Sequence, residues 1–396
     1  MNQPQRLWTK DFILVSAMNF LLTLVFYLLI VIMGGYAIEV FHASTSQAGL
    51  VSSIFMVGAL IGRLFMGRYI EKIGYRKLLF VGLILYMLTS GLYFIQTGIG
   101  FLLITRVIHG VMLGVTLMVV TASIAHIIPP SRRGEGIGYF SLSTILATAI
   151  GPFLGILLVQ HASYNVIFAG CVGLGVISLI VALMVNIPNP VHTDAPPEKM
   201  SLSLKSFIEP RALPISIVIL VLAFCYSSVL TYMNFYANEL DLAKVASFFF
   251  IAYSIAILIS RPFSGKLLDK KGANYVMYPA TVIFALGMLV LSTAHSGFTF
   301  LLASVLIGFG YGNIQSCCQA VAIKSVPPEK IGLSTSTFSI FLDLGLGFGP
   351  YLLGAVIAIL SYSQLYAVLA VVILLSIVLY TFLYARPNKN KKQPVA

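Results

Sequence analysis

Twelve long runs of apolar residues make up most of this chain, and they constrain its fold more than any other feature. A helix of about 20 apolar residues crosses the hydrocarbon core of a bilayer. The runs lie at residues 12–36, 48–67, 78–96, 100–127, 137–159, 164–186, 213–236, 245–265, 275–294, 298–324, 333–359 and 363–384. Because hydrocarbon offers the backbone no hydrogen-bond partners, a spanning segment must pair its own peptide groups, as a helix does. The chain is therefore predicted to be an all-α integral membrane protein with twelve transmembrane helices.

The charged residues are few and unevenly placed. They make up 9% of the chain, against about 25% in soluble proteins. The net charge of +12 would suggest nucleic acid as a partner in a soluble chain, but here the bases lie in short loops and tails. The connections on the N-terminal side hold nearly all of them, whereas the opposite side holds Lys244 with Glu39, Glu239 and Asp241. This asymmetry predicts cytoplasmic termini, the cell membrane as location, and no nucleic-acid partner.

The runs form two groups of six. A stretch at 187–212, rich in proline and charge, separates them. We predict an N-terminal bundle over 1–186, a cytoplasmic linker over 187–212, and a C-terminal bundle over 213–396 with a basic cytoplasmic tail. Shared landmarks recur 198 residues apart: Gly110 and Gly114 as Gly308 and Gly312, and Gly151-Pro152 as Gly349-Pro350. The fixed offset indicates a duplication and two pseudo-symmetric six-helix bundles.

A charged turn between the second and third runs belongs to the same repeat. Too polar for hydrocarbon, it is predicted to be a tight turn at the membrane surface, with glycines where the backbone needs positive φ or close approach. Its residues are Gly67, Arg68, Glu71, Gly74, Arg76 and Lys77, and its second copy contains Gly265, Asp269 and Gly272.

This repeated turn resembles the G-x-L-x-D-[RK]-x-G-[RK]-[RK] loop of the major facilitator superfamily. The first copy departs from the pattern in having Glu71 in place of Asp. The resemblance implies two six-helix bundles that alternate access to a central site. It also implies a gating role for the turn, and we expect Glu71 and Asp269 each to contact a helix N-terminus in the opposite half.

The fourth run contains Arg106 and His109 on one helical stripe. A buried arginine there must face a wet cavity or a partner, whereas an arginine near the outer interface could reach water by snorkelling. The stripe resembles the R-x-x-Q-G pattern of the superfamily, with His109 in place of Gln. In antiporters of this kind the arginine belongs to proton coupling, and whether His109 titrates or only replaces Gln is left open.

The fifth run contains Gly151, Pro152 and Gly155, with a twin at Gly349 and Pro350. The group partly matches the G-x-x-x-G-P-x-x-G-G pattern that distinguishes exporters of the superfamily. The alternative interpretation is a kink at proline, where small neighbours let another backbone approach.

Asp343 is the acid that lies deep inside an apolar run. It falls near the bilayer midplane, at 1.5 Å per residue from a helix start near 333. An intramembrane carboxyl is a functional hypothesis by default, and burial favours its protonated form, which suits a proton carrier. The alternative is a protonated acid that donates one interhelical hydrogen bond. With Arg106 as its counter-charge, Asp343 is the predicted coupling site.

Other polar residues inside the runs are candidates for the substrate cavity: Asn19, Tyr27, Tyr226, Asn234, Asn313 and Gln315. The sequence has no Walker loop, no H-E-x-x-H and no C-x-x-C. These absences argue against an enzyme, a metal site or a cofactor, and favour a proton gradient as the energy source.

Taken together, these features predict a proton-coupled exporter of a small organic solute (a drug-like compound, sugar or metabolite), resembling the drug/proton antiporter branch and acting as a monomer by alternating access. One alternative is a proton symporter or facilitator that imports a sugar or other nutrient. A further alternative is a membrane sensor or lipid-handling protein that transports nothing.

Overall fold

The computed structural model describes residues 6–66, 73–129, 132–187, 208–327 and 330–386, and its regular secondary structure there is helical. Among these residues, twelve helices are long and apolar enough to cross a membrane, which confirms the predicted fold class. In the first half they are α1 Lys10–Phe41, α2 Thr45–Met66, α3 Tyr75–Gly91, α4 Ile99–Ile127, α5 Arg133–His161 and α6 Tyr164–Met184. In the second half they are α7 Leu213–Glu239, α8 Ala243–Lys271, α9 Asn274–Ser292, α10 Gly297–Lys324, α11 Ile331–Ile357 and α12 Tyr362–Tyr380.

Departures from α geometry interrupt or extend several of these helices. A 3₁₀ turn, Leu92–Phe94, follows α3. A π-helical turn, Gly308–Gly312, lies inside α10, and another, Thr381–Ala385, follows α12. Such turns shift the side chains that follow them around the helix, which is why they occur often at functional positions.

Side-chain caps fix several helix starts. Ser44 and Gln47 exchange hydrogen bonds at the start of α2, with the Ser44 amide donating to Gln47 Oε1 at 3.0 Å and the Gln47 amide donating to Ser44 Oγ at 3.3 Å. Ser296 begins α10 and Ser361 begins α12 in the same reciprocal way. Each cap satisfies amide groups that the first turn of a helix leaves unpaired.

The chain divides into two compact units, Met1–Glu198 and Lys199–Ala396. The first contains α1–α6 and the second α7–α12. Most of the predicted linker, 188–207, lies outside the described residues, but its end is attached to the second unit. The Glu209 amide donates to Thr337 Oγ1 at 2.8 Å, and its buried carboxylate lies 3.4 Å from Lys330 Nζ.

Small residues let α2 and α4 pack with their backbones in contact. A Cβ at Gly110 would overlap the carbonyl oxygen of Phe55, and a Cβ at Gly114 that of Ala59. From the other side, a Cβ at Gly58 or Gly62 would overlap backbone atoms of α4. Two G-x-x-x-G stretches therefore face each other, the arrangement that membrane helices use for close approach.

The second unit repeats this packing at the offset found in the sequence. A Cβ at Gly308 would overlap the carbonyl oxygen of Tyr253, and a Cβ at Gly312 would overlap the side chain of Ile257. Tyr253 and Ile257 stand 198 residues after Phe55 and Ala59, as Gly308 and Gly312 do after Gly110 and Gly114. The duplication thus repeats contacts as well as sequence.

The glycines of the proline-containing helices α5 and α11 also mark close contacts. A Cβ at Gly151 would lie 2.8 Å from Tyr27 Cβ, and a Cβ at Gly155 would lie 2.9 Å from the Leu28 carbonyl oxygen, both on α1. A Cβ at Gly349 would overlap Ser227 Oγ on α7. Tyr232, also on α7, donates its hydroxyl proton to the carbonyl oxygen of Pro350.

The charged turns are only partly as predicted. Gly67, Arg68 and Glu71 lie outside the described residues. Gly74 precedes α3 with φ of 87° and Gly272 follows α8 with φ of 91°, as a reversal that favours glycine requires. Arg76 and Lys77 are exposed in the first turn of α3.

In the second copy, however, the predicted turn at Gly265 and Asp269 is wrong. The helix α8 continues through both to Lys271, and a Cβ at Gly265 would meet nothing within 4 Å. Good helix formers, among them Lys266, Leu267 and Leu268, extend the helix beyond the apolar run.

Candidate functional site

Arg106 of α4 is fully buried, and its guanidinium is held by α2 and by the turn after α3. Its Nε donates to the Val51 carbonyl oxygen at 2.9 Å and its Nη2 to that of Ser52 at 3.0 Å. Its Nη1 donates to the Tyr93 hydroxyl at 3.4 Å, and the guanidinium carbon lies 4.6 Å from the Phe55 ring centroid. This geometry excludes snorkelling, because Arg106 has a relative exposure of 0%. The charge is stabilised by carbonyl dipoles and an aromatic face.

His109 lies one turn further along α4, equally buried, and both ring nitrogens are engaged. Nδ1 lies 2.9 Å from the Tyr93 hydroxyl and Nε2 lies 3.0 Å from Ser90 Oγ. Ser90 Oγ in turn donates to the Tyr86 carbonyl oxygen at 3.0 Å. The Tyr86 ring lies over the imidazole, with 4.3 Å between centroids.

The directions of these bonds fix the tautomer of His109. Because Tyr93 accepts from Arg106, its own proton is free to go to Nδ1, and Nε2 then carries the proton donated to Ser90. The chain of donors runs from Arg106 through Tyr93, His109 and Ser90 to a backbone carbonyl. This arrangement fits a neutral imidazole, because an imidazolium would donate from both nitrogens and leave the Tyr93 hydroxyl proton without an acceptor in this network.

The duplication supplies an internal comparison for this network. The positions 198 residues after Ser90, Tyr93, Arg106 and His109 are Met288, Leu291, Ser304 and Ile307, all of them buried. Ser304 Oγ donates to the Phe249 carbonyl oxygen, and Phe249 is the repeat equivalent of Val51. The second unit thus makes the equivalent contact with one hydroxyl and no charge. Since the repeat packs without a buried arginine or histidine, the network is a candidate for function rather than for folding.

Asp343 occupies the middle of α11, 12 residues after Ile331 and 14 before Ile357. Its relative exposure is 5%. The helix packs on α7 through Gly345 and Gly349, where a Cβ would overlap atoms of α7. Asp343 and Arg106 belong to different units, so their expected pairing remains a prediction.

Two of the residues assigned to the substrate cavity join helices within their own unit. The Asn19 amide of α1 donates to Ser143 Oγ at 2.8 Å and to Thr144 Oγ1 at 3.0 Å, which joins α1 to α5. Asn313 of α10 is joined to α8, donating to Ser260 Oγ and accepting from Ser264 Oγ. Both side chains therefore already have the hydrogen-bond partners that an amide group needs in hydrocarbon.

The other four cavity candidates differ in their surroundings. Tyr226 stacks between Tyr253 and Tyr311, with ring centroids 5.6 Å and 4.0 Å away. Tyr27 and Gln315 are half-buried. The amide oxygen of Asn234 is buried and accepts no hydrogen bond from the described part of the chain. An unpaired buried oxygen is costly, so Asn234 is a candidate substrate ligand.

Sequence reasoning missed Tyr93, Ser90 and the glycines of α2. Gly58 and Gly62 carried a usable signal, since they form a second G-x-x-x-G stretch. Tyr93 and Ser90 carried none, because a tyrosine or serine near the end of a span is ordinary in a membrane protein.

Two duplicated six-helix units with charged groups buried inside membrane-spanning helices are the architecture of a secondary transporter. The sequence model of the Major Facilitator Superfamily matches residues 15–350 and 245–396, so the chain belongs to that family. It is a multi-pass membrane transporter of small molecules and not an enzyme, as the sequence predicted.

The chain is similar to several known proteins along most of its length. It is 26% identical to an uncharacterized MFS-type transporter of Methanocaldococcus jannaschii, over 85% of this chain and 88% of that protein. It is 24% identical to Multidrug resistance protein 2 of Bacillus subtilis, over 80% of this chain and 81% of that protein. Its fold matches the crystal structure of a bacterial homologue of the human lysosomal transporter Spinster, with TM-score 0.76, 13% identity, and coverage of 99% and 100%.

Proposed function

We propose that this transporter exports a small organic solute in exchange for protons, and that Asp343 carries the proton. The observation that carries the proposal is the burial of Asp343 in the middle of a membrane-spanning helix. A carboxyl there is stable only when it is protonated or paired. A proton-coupled carrier needs a group that alternates between these two conditions as the two halves change access.

Export is supported by two observations. One relative along most of the chain is named a multidrug resistance protein, and removal of several compounds from the cell would give such resistance. The Gly151-Pro152 motif of α5, which resembles that of exporters, packs closely on α1 at Tyr27. The substrate class proposed is a drug-like compound, sugar or metabolite, carried across the cell membrane.

Arg106 and His109 of the first unit are proposed to take part in proton coupling as well. Two carbonyl oxygens and the Tyr93 hydroxyl accept hydrogen bonds from the Arg106 guanidinium. It can therefore act as counter-charge when Asp343 is ionised. His109 stays neutral and, through Tyr93, positions the guanidinium rather than carrying the proton itself.

The test compares Asp343→Asn with Asp241→Asn in proteoliposomes. Asp241 lies in the turn after α7 with φ of 57°, a conformation that asparagine tolerates, so the control makes the same chemical change without burial. The solute is first chosen as one that raises the thermal midpoint of the purified protein in a screen of drug-like compounds, sugars and metabolites.

Asp343→Asn should lose solute accumulation driven by a pH gradient yet keep downhill exchange, because the asparagine retains size and most hydrogen bonding. Asp241→Asn should keep both. Uphill transport with unchanged proton dependence in Asp343→Asn contradicts the coupling role. Movement of solute and proton in the same direction identifies a symporter instead of an exporter.

A further inference from the structure

A groove on the second unit is lined by α8, α9 and α10. It has a volume of about 370 Å³ and mainly apolar walls, among them Ile259, Phe263, Leu267, Tyr275, Pro279 and Phe309. Phe263 is 72% exposed, Tyr275 57% and Ile259 56%, so the groove opens outward from the helices. A concave apolar surface that meets lipid can surround a single chain more closely than a convex helix face does.

The floor of the groove is polar but internally satisfied. The Asn313 amide nitrogen donates to Ser260 Oγ at 2.9 Å and to the Phe309 carbonyl oxygen at 2.7 Å. Ser264 Oγ donates to the Asn313 amide oxygen at 2.7 Å. Since these groups already pair with one another, a polar ligand gains little by binding there, whereas a hydrocarbon chain gains contact with the walls.

One end of the groove is positively charged. The α8 wall residues Ser260, Phe263, Ser264 and Leu267 recur at helical spacing, and the same face continues to Lys270 and Lys271. Lys271 Nζ lies 5.5 Å from the centroid of the Tyr275 ring, which itself lines the groove. The neighbouring carboxylate of Asp269 is paired with Lys324 at 2.7 Å. Positive charge therefore accumulates where the groove reaches the end of the helix.

We propose that this groove binds an anionic phospholipid, with an acyl chain along its apolar walls and the phosphate beside Lys270 and Lys271. An apolar slot that ends in two exposed lysines complements this ligand in both shape and charge. Basic residues at the membrane surface between helices favour anionic headgroups over zwitterionic ones. The inference rests on the second unit alone and holds for either direction of transport.

The experiment places a fluorescent reporter at the groove. The chain has one tryptophan, so Tyr275→Trp in a Trp8→Phe background gives a single emitter on the groove wall. Quenching by phosphatidylglycerol with brominated chains is compared with quenching by brominated phosphatidylcholine at equal mole fraction in liposomes. Phe298→Trp in the same background reports on a lipid-exposed position at the other end of α10, where Phe298 is 76% exposed.

With the reporter introduced by Tyr275→Trp, brominated phosphatidylglycerol should quench more strongly than brominated phosphatidylcholine. Lys270→Gln and Lys271→Gln should each lower the preference for phosphatidylglycerol over phosphatidylcholine by about fivefold. This effect of each substitution should be smaller at high salt. Lys244→Gln, at the opposite end of the same helix, is the matched control and should change nothing. Phe298→Trp should show no preference.

Two outcomes overturn the proposal. The first is equal quenching by the two lipids at Tyr275→Trp. The second is an unchanged preference in the variant that carries both Lys270→Gln and Lys271→Gln. Both lysines are exposed, so these variants should unfold at the wild-type midpoint, and that measurement separates loss of lipid binding from loss of fold.

Discussion

The hydrogen bond between Tyr93 and His109 is the part of the coupling network that can be removed most cleanly. Tyr93→Phe deletes the hydroxyl that lies 2.9 Å from His109 Nδ1 and 3.4 Å from Arg106 Nη1. It leaves a buried ring nitrogen without a partner, which costs about 1–3 kcal/mol. The bond from Arg106 is longer, so its loss should cost less than the loss of the bond to His109. Arg106 keeps its two carbonyl acceptors on α2, so the fold survives, and we expect stability to fall by about 2 kcal/mol.

Replacing the other partner, His109→Ile, should lower stability by a similar amount, because the Tyr93 hydroxyl proton then has no acceptor. Combining the two changes removes both partners, and the remaining apolar pair imitates Leu291 and Ile307, which occupy these positions in the second unit. The double variant should therefore be less destabilised than the sum of the single variants, with a coupling energy of about 1–2 kcal/mol.

The assay is equilibrium unfolding in mixed micelles for the wild type, both single variants and the double variant, with proton-driven transport measured on the same samples. Additivity of the two changes to within about 0.5 kcal/mol would show that no hydrogen bond joins the two side chains. If the double variant recovers stability without recovering transport, the network serves function. Recovery of both would assign it to packing alone.

Two further predictions concern the charged ends of α8 and α10. Asp269→Asn breaks the ion pair with Lys324, whose two side chains are 70% and 58% exposed. The substitution should change stability by less than about 1 kcal/mol. It should lower transport if the carboxylate also controls the change between conformations. Lys324→Gln breaks the same pair from the other side. Unchanged transport in both variants would show that these charges only set the orientation of the helices in the membrane. For topology, Lys244→Cys should react with an impermeant thiol reagent in intact cells and Lys270→Cys only after permeabilisation; the opposite pattern would reverse the proposed orientation. The four native cysteines are buried, which keeps background labelling low.

The sequence alone determined the twelve spans and the internal duplication. Both follow from physics that acts locally along the chain. Lipid forces each apolar run to pair its own backbone groups, so length and hydropathy suffice to place a helix. The offset of 198 residues then predicted which contacts of the first unit recur in the second, as Gly110 on Phe55 and Gly308 on Tyr253 do.

Helix ends were harder to predict where charge and helix propensity disagree. The polarity of the segment after Arg261 suggested a turn at Gly265, but α8 continues to Lys271. A charged segment at the membrane surface can remain helical, because water and headgroups solvate its side chains while the backbone stays paired. Hydropathy reports where the lipid ends and not where the helix ends.

Only the tertiary structure decided what the buried polar groups do. The sequence placed Arg106 in the membrane, but its acceptors are carbonyl oxygens on another helix, 55 and 54 residues away. Both ring nitrogens of His109 are paired only because Tyr93 and Ser90 reach them, and Asn19 joins α1 to α5 only because Ser143 lies opposite. A polar group in hydrocarbon must find a partner, but the partner depends on which helices are neighbours and how each is rotated, and that information is spread over the packing of the whole unit rather than held in any one segment.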